Sequence, residues 1–423
     1  VRVAPIALRR RFSESRMREI RPSGLMRGGS QPTHLGQLLP TLPPFFSPRF
    51  RDCFRGEEAD SAREMSLPPM IDFPAFSAGE RHYSATDVID AAWFRGEVQS
   101  CWETSMLGAA RKQRADEEGL EPDSETLQHL SEDVRYRHDL ITAEETEAWL
   151  SAHGLTLDDL TGHVYRRYWR EHSAAAPTPA GSVYIAGSPE ERSVFLHDVI
   201  FDGEFAQLAE HLSWRAVGAL VLEVPPTSGE LEAARERFLQ RTALRPEQLA
   251  PAMGQLGRDA AWLGHMLALE SAYERQCAQL CTAENRVRTL AALRLPLTSF
   301  SVELMDFDSA DAVREACLCV SAADISMEEL AGQEHRLIER RQLLLEDLPE
   351  DAQQQFLSAE PGHVLPFITQ GERFQVCRIA EKREPALSDA SVCARVDADL
   401  RTGHFGNLAA NHIVSAVAPP SAP

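Results

Sequence analysis

The chain has 423 residues with 43 basic and 64 acidic side chains, which gives a net charge of −21. This length fits two or three domains rather than one small core. Because like charges repel, the acidic excess argues against a nucleic-acid backbone or an anionic membrane surface as the main partner.

The charge is unevenly spread along the chain. Residues 1–55 contain eleven arginines and three acidic residues, which leaves 32 basic and 61 acidic groups in residues 56–423. The second, larger part is therefore more acidic than the total suggests. We expect it to attract a cationic peptide.

Residues 1–75 are predicted to form a disordered, arginine-rich extension, because prolines interrupt it and its apolar residues follow no sustained period. Internal methionines stand at Met65 and Met70. Residues 1–64 are either translated upstream sequence or a tail that contacts the acidic body or a partner. The sequence leaves both interpretations open.

Eight cysteines are scattered through the chain without a C-x-x-C pair. Cys277 and Cys281 lie one helical turn apart, but no second pair with metal-ligand spacing follows, so we interpret them as buried helix residues. The N-terminal segment lacks the continuous apolar stretch of a secretory signal, and no run approaches the ~20 apolar residues that cross a bilayer. We therefore predict a cytoplasmic protein without a metal or cofactor.

Residues 76–173 are predicted to form a helical domain. Ser84 with Asp87, and Thr142 with Glu145, have the spacing of capping boxes, in which two side chains satisfy the free N–H groups at a helix start. Apolar residues recur at helical spacing after each of these starts, and the pattern that begins at Ser84 continues until Gly119. The pattern predicts several packed helices.

Residues 181–289 follow a linker rich in proline and alanine, and are predicted to be mixed α/β and then helical. The expected elements are a short strand Val183–Ile185, a helix Phe205–Leu212, a strand Ala219–Val224, a helix Glu230–Leu239 and a long helix from Pro246 to about Leu293.

Residues 290–386 are predicted to form an α+β domain. Phe300, Val302 and Leu304 share one face of a strand, and polar residues take the other face. The predicted fold class is thus α+β and mainly helical. The further elements are helices over Ser309–Val320 and residues 333–348, a hairpin of strands Val364–Thr369 and Phe374–Ile379, and a last helix Asp389–Ile413 within residues 387–418.

The segment Phe356–Lys382 (FLSAEPGHVLPFITQGERFQVCRIAEK) resembles the end of a parvulin domain, with a helix end, Pro-Gly, a Pro-x-x-Thr strand, a hairpin and an apolar strand. Ser326–Ala331 (SMEELA) and Ser309–Ala312 resemble preceding parts of that domain in the same order. The resemblance covers about a quarter of the chain. It implies a parvulin-like domain over residues 290–386.

The helical domain is similar to the N-terminal chaperone domain of SurA/PpiC-type foldases, especially over Asp133–Leu150. In that family the last helix returns to complete the N-terminal domain, which implies the same packing for residues 387–418. Within this group the chain most resembles PpiC-related proteins of bacterial systems that mature ribosomally made peptides.

The residues that parvulins use for prolyl isomerisation do not carry over. The first of their two histidines is expected where this chain has Ser299–Ser301, and the second where Gln375 follows Phe374. Cys317 and Cys319 are interpreted as buried thiols rather than substitutes. Common nucleotide-binding, zinc-protease and serine-hydrolase motifs are also absent from the sequence. The resemblance therefore implies a domain kept for its shape, without catalytic residues.

The leading hypothesis is a non-catalytic, chaperone-like accessory protein that binds a precursor or unfolded peptide during the biosynthesis of a ribosomally made, modified peptide, with peptide-tailoring enzymes as further partners. The alternatives are an active but divergent peptidyl-prolyl isomerase and a scaffold for maturation enzymes. Binding is expected at an apolar cleft of the sheet or at a strand edge, although a core position is the simpler interpretation of each phenylalanine. The candidate contacts are Phe300, Val302, Phe356, Phe367, Phe374 and Gln375.

Overall fold

The computed structural model describes residues 72–172, 183–322, 325–370 and 373–416. Most of the predicted N-terminal extension, the linker and the turn at Gly371 lie outside these residues. Within them, helices dominate and two small antiparallel sheets complete the fold, which confirms the mainly helical α+β class. None of the described helices is both long and apolar enough to span a membrane.

The described chain begins with a hairpin followed by five helices. The hydroxyls of Ser84 and Thr142 accept hydrogen bonds from the N–H groups of Asp87 and Glu145 at 3.2 and 3.1 Å, and both predicted capping boxes are confirmed. The elements are β1 (Pro74–Ala78), β2 (Arg81–Ser84), α1 (Ala85–Phe94), α2 (Gln99–Glu118), α3 (Ser124–Arg137), α4 (Ala143–Ala152) and α5 (Leu157–His172).

Six further helices follow, and the first five of them share one apolar core with this first group. The fully buried side chains of Trp102, Phe195, Phe201 and Phe238 mark the centre of that core. The elements are α6 (Pro189–Phe201), α7 (Phe205–Leu220), α8 (Ser228–Thr242), α9 (Leu249–Gln255), α10 (Ala260–Leu280) and α11 (Ala283–Ala292).

A four-stranded antiparallel sheet with three helices follows, and it includes the predicted hairpin and the predicted helix from Ser309. Its strand order is β4-β3-β6-β5, so β3 and β6 lie in the centre. The elements are β3 (Ser299–Phe307), α12 (Ala310–Ala322), α13 (Met327–Glu334), β4 (Glu339–Leu344), α14 (Glu350–Ser358), β5 (Val364–Gln370) and β6 (Arg373–Arg383).

A buried carboxylate fixes the register of three of these strands. Glu303 of β3 is 5% exposed and lies opposite Arg340 of β4 and Arg378 of β6. Its two oxygens contact these guanidinium groups at 3.1 and 2.9 Å. A shift of either neighbouring strand by one residue would take away one of these two partners and leave the buried charge only partly compensated, which is costly.

The last helix, α15 (Ala390–His412), confirms the predicted helix Asp389–Ile413. It lies against the helical part of the molecule, where the buried ring of Phe405 contacts Tyr273 of α10 at 4.7 Å and Trp214 of α7 at 6.1 Å. The chain then forms β7 (Ile413–Ser415), which pairs antiparallel with β1. The two ends of the described chain therefore meet in one sheet, of strand order β2-β1-β7.

Three sequence predictions are wrong. The 3₁₀ turn Tyr184–Ala186 takes the place of the predicted strand Val183–Ile185, because the adjacent side chains of Tyr184 and Ile185 are both buried, whereas a strand would turn them to opposite faces. Ala219–Val224 begins as the end of α7, because the spacing of Leu208, Leu212 and Ala216 continues the helix to its last residue. Residues 333–348 contain β4 rather than a continuous helix.

Two predicted helices are interrupted, and one hairpin was missed. The pattern starting at Ser84 divides into α1 and α2 at Gly96, whose φ of 74° does not fit a helix. The pattern from Pro246 divides into α9, α10 and α11 after an initial 3₁₀ turn. The β1–β2 hairpin begins within the segment predicted to be disordered, and it buries Phe76 and Tyr83.

Gly187 lies where a side chain would collide with the core. A Cβ atom at this position would lie 2.7 Å from Trp102 Cζ2 and closer still to Cη2. The indole is fully buried between Tyr184 and Phe195, which contact it edge-on at 5.4 Å each, so it has no room to move. We expect Gly187→Ala to lower the free energy of unfolding by about 1–3 kcal/mol, measured by urea unfolding.

The matched control for this substitution is Gly264→Ala in α10, where a Cβ atom meets nothing within 4 Å. Because alanine favours a helix over glycine, this control should stabilise the protein by up to about 1 kcal/mol. Equal destabilisation by both substitutions would contradict the packing described for Trp102.

Candidate functional site

Three of the candidate peptide contacts lie in a closed core beneath α14. Phe300, Val302 and Phe356 are 0%, 1% and 0% exposed. The rings of Phe300 and Phe356 meet edge-on at 5.2 Å, and Cys377 and Ile379 of β6 fill the same core. The expected apolar cleft is thus a packed interface between sheet and helix. These three side chains offer no surface to a peptide, and their prediction as contacts is corrected accordingly.

The other two phenylalanine candidates lie on β5 and β6. Phe374 faces the opposite side of the sheet, where it packs, partly buried, against the core that α12 and α13 cover. Its register partner on β3 is Phe307. Phe367 belongs to β5, and its side chain lies outside the described part of the chain. The structure therefore does not bring the four candidate phenylalanines into one open site.

Gln375 occupies the position where the resemblance places the second histidine. It is 5% exposed, and its amide Nε2 donates a hydrogen bond to Asp306 Oδ1 at 2.7 Å across the β3–β6 pair. A carboxamide does not ionise near neutral pH, so it cannot transfer a proton as a histidine does. Ser299 and Ser301 stand on the opening strand, and none of the four strands contains a histidine.

The thiols near this sheet do not replace the missing histidines. Cys377 is fully buried, and this burial raises its pKa to about 12, so the thiol stays protonated at neutral pH. Cys317 of α12 donates a hydrogen bond from its Sγ to the carbonyl oxygen of Leu365 at 3.5 Å. The described residues also contain no group of three or more histidine, cysteine or carboxylate side chains able to hold a metal ion.

A buried charge cluster around Asp198 of α6 was missed by sequence analysis. Asp198 is 5% exposed, and its Oδ1 accepts hydrogen bonds from His163 Nδ1 at 2.8 Å and from the Arg166 guanidinium at 2.5 Å. Its Oδ2 accepts a short hydrogen bond from the Ser105 hydroxyl. The carboxylate thus joins α2, α5 and α6. The sequence does contain a signal for it, namely a charge within the apolar run Val194–Phe201.

The Asp198 carboxylate is held in its ionised form. Burial by itself would raise its pKa, but the hydrogen bond from His163 and the charge of Arg166 outweigh burial and hold the pKa of Asp198 well below its ordinary value. A group that stays ionised throughout the physiological range cannot act as a general acid. Asp198 is therefore a structural charge that ties three helices together.

A polar pocket of about 90 Å³ opens beside this cluster between α2, α5 and α6. Its one thiol, Cys101, is neutral at physiological pH because burial, helped by Glu204, raises its pKa to about 12. The pocket thus holds no activated nucleophile. Its lining consists of Ser100, Cys101, Thr104, Ser105, Arg170, Asp198, Val199, Asp202 and Glu204.

Comparisons with known proteins give only distant likenesses. No family model matches the chain, and no curated protein matches it. Among solved structures, the foldase protein PrsA of Streptococcus pneumoniae matches with 12% identity over 50% of this chain and 82% of its own, at a TM-score of 0.22. A structure from work on PEB4 and the periplasmic protein Cj1289 of Campylobacter jejuni, described as SurA-like chaperones, matches with 6% identity over 51% and 88%, at a TM-score of 0.19. With TM-scores this low, neither likeness bears on function.

Proposed function

We propose that this chain is a chaperone-like protein that binds an unfolded or precursor peptide without isomerising its prolyl bonds. Gln375 is the observation on which the proposal rests. It takes the place of a histidine expected from the parvulin resemblance, and its amide is committed to Asp306 at 2.7 Å. More specifically, we propose that the chain presents a ribosomally made precursor peptide to tailoring enzymes in the bacterial cytoplasm.

The outer edge of β4 is the peptide-binding surface that fits this proposal. β4 ends the sheet on one side, and all six of its residues are exposed or half-exposed. Leu337, just before the strand, is 90% exposed and would give a peptide side chain an apolar contact. An extended peptide would add to this edge through backbone hydrogen bonds.

The opposite edge of the sheet is less suitable. β5 contains Pro366, which has no N–H group to donate, and the β5–β6 register shifts between Leu365 and Ile368. β4 has neither defect, and its charged residues Glu339, Arg340 and Arg341 oppose permanent edge-to-edge pairing. These features favour reversible peptide binding at β4.

The acidic body supports a cationic client. Residues 56–423 carry 61 acidic and 32 basic groups, so their field attracts a peptide rich in arginine or lysine. This attraction should weaken as salt shortens the range of the electrostatic interactions.

Calorimetric titration of the full chain tests the proposal. The probes are an unfolded peptide rich in arginine and proline and the same peptide with glutamate in place of arginine. We expect micromolar binding of the first peptide only. Leu337→Ala should weaken that binding about tenfold, the equivalent of losing part of one leucine contact. Val287→Ala on α11 replaces another exposed residue, 61% accessible, and should leave binding unchanged.

Absence of binding to both peptides at micromolar concentration would overturn the peptide-binding proposal and favour the scaffold alternative. Equal loss of binding in both variants would instead refute β4 as the surface, while leaving peptide binding itself in place.

A further inference from the structure

Four histidines from neighbouring elements of the helical part converge on one junction. His138 follows α3, His153 follows α4, His163 belongs to α5 and His197 to α6. His138 and His153 flank the indole of Trp149, with ring centroids 4.5 and 4.3 Å from it. Because these four histidines lie on different elements and far apart in the sequence, their proximity is seen only in the folded chain.

The flanked indole is one of few anchors that hold α4 in place. Among the ten residues of α4, only Thr146 and Leu150 are buried. Trp149 adds a third contact by reaching Phe201 of α6 at 5.9 Å. His153 extends this stack to the ring of Phe73, 5.4 Å away in the segment before β1. The position of α4 therefore depends on an aromatic stack that contains two imidazoles.

The two imidazoles that flank Trp149 differ in their partners from the other two. His138 Nε2 lies 3.1 Å from the carbonyl oxygen of Phe201, and His153 Nδ1 lies 2.7 Å from that of Trp149. Each of these bonds uses one N–H, as a neutral imidazole provides. By contrast, His163 and His197 contact the carboxylates of Asp198 at 2.8 Å and Asp159 at 3.3 Å.

Within the described residues, the carboxylates around this junction already form ion pairs with other side chains. Asp202 contacts Arg137 at 3.1 Å and Arg170 at 4.0 Å, while Asp198 is bound by Arg166. The segment before β1 contributes the uncharged ring of Phe73. Protons added to His138 and His153 would therefore meet no spare negative charge. The groups that face the junction are Arg137, Arg166, Arg170, Asp159, Asp198, Asp202, His163 and His197.

We propose that His138, Trp149 and His153 form an acid-sensitive latch, which holds α4 against α6 while both imidazoles are neutral and releases it when they are protonated. As the pH falls, the helical part of the protein would then open at α4. It is independent of the proposed peptide-binding function.

The direction of the effect follows from the histidine environments. Burial lowers the pKa of His138 and of His153, and Arg137 lowers that of His138 further. A released α4 exposes both imidazoles to water, where the pKa of histidine is about 6.5. The released form then binds more protons, so the latch is stable above about pH 6.5 and weakens as the pH falls through that value.

Hydrogen exchange of the full chain tests this latch. After correction for the intrinsic rates, exchange of the α4 amides should be several-fold faster at pH 5.5 than at pH 7.5, with no comparable change in α8, which contains no histidine. In the double variant His138→Gln and His153→Gln the difference should disappear. His129→Gln on α3, a histidine whose side chain is 72% exposed, should keep it.

Nuclear magnetic resonance titration of the histidines gives a second test that needs no variant. We expect two imidazoles assigned to His138 and His153 to titrate below the ordinary value of about 6.5. The proposal is overturned if both titrate at or above that value, or if α4 exchange is the same at the two pH values.

Discussion

Asp198→Asn is expected to destabilise the helical part by about 3–5 kcal/mol, because the substitution keeps the size of the side chain but leaves the charge of Arg166 buried without its partner. The Ser105 hydroxyl and His163 Nδ1 also lose a charged acceptor. Urea unfolding at pH 7 followed by tryptophan fluorescence measures this loss. All six tryptophans precede β3 in the sequence, so the fluorescence reports the helical part.

Asp133→Asn is the matched control for this substitution. Asp133 also pairs with an arginine, Arg167, at 3.1 Å, but its side chain is 57% exposed. A pair in contact with water contributes about 1 kcal/mol or less. If both substitutions cost the same small amount, the Asp198 cluster is not the buried structural charge described above.

Phe356→Ala is expected to open the core beneath α14. Removing a fully buried phenylalanine costs about 3–5 kcal/mol. This part of the chain contains neither tryptophan nor tyrosine, so Cys377, fully buried in the same core, is the better probe. Labelling of its thiol should accelerate on the order of a hundredfold or more, because a tenfold change in an opening equilibrium corresponds to about 1.4 kcal/mol.

The same substitution separates a core residue from a peptide contact. If Phe356 were a contact, Phe356→Ala would weaken peptide binding and leave the labelling of Cys377 unchanged. Leu318→Ala on α12 is the control, because this leucine is 66% exposed and should change neither measurement. The tryptophan-detected unfolding of the helical part should stay the same in both variants.

The period of β3 was predictable because one face of the strand is apolar. Phe300, Val302 and Leu304 alternate with polar residues, and the structure confirms that they share a face. β4 gave no such pattern, since it is an edge strand and Glu339 to Gln342 are all exposed. An edge strand of this kind pairs with only one neighbour. It is recognised from the fold, because its own sequence carries no alternating apolar pattern.

The candidate site was harder to predict than the fold class. A phenylalanine in a core and one in a binding cleft have the same local pattern, and only the position of α14 over the sheet separates the two interpretations for Phe300 and Phe356. The Asp198 cluster depends on partners 93, 35 and 32 residues away along the chain. No local motif contains such a cluster.

Exchange spectroscopy on a labelled, arginine-rich peptide with one proline tests the central claim most directly, because one nuclear magnetic resonance experiment reports both binding and cis/trans exchange. We predict that adding the protein broadens the peptide signals while the cis and trans forms exchange no faster than in the free peptide. Accelerated exchange that is lost on substituting Gln375 or Phe374 would contradict the claim and establish a divergent prolyl isomerase.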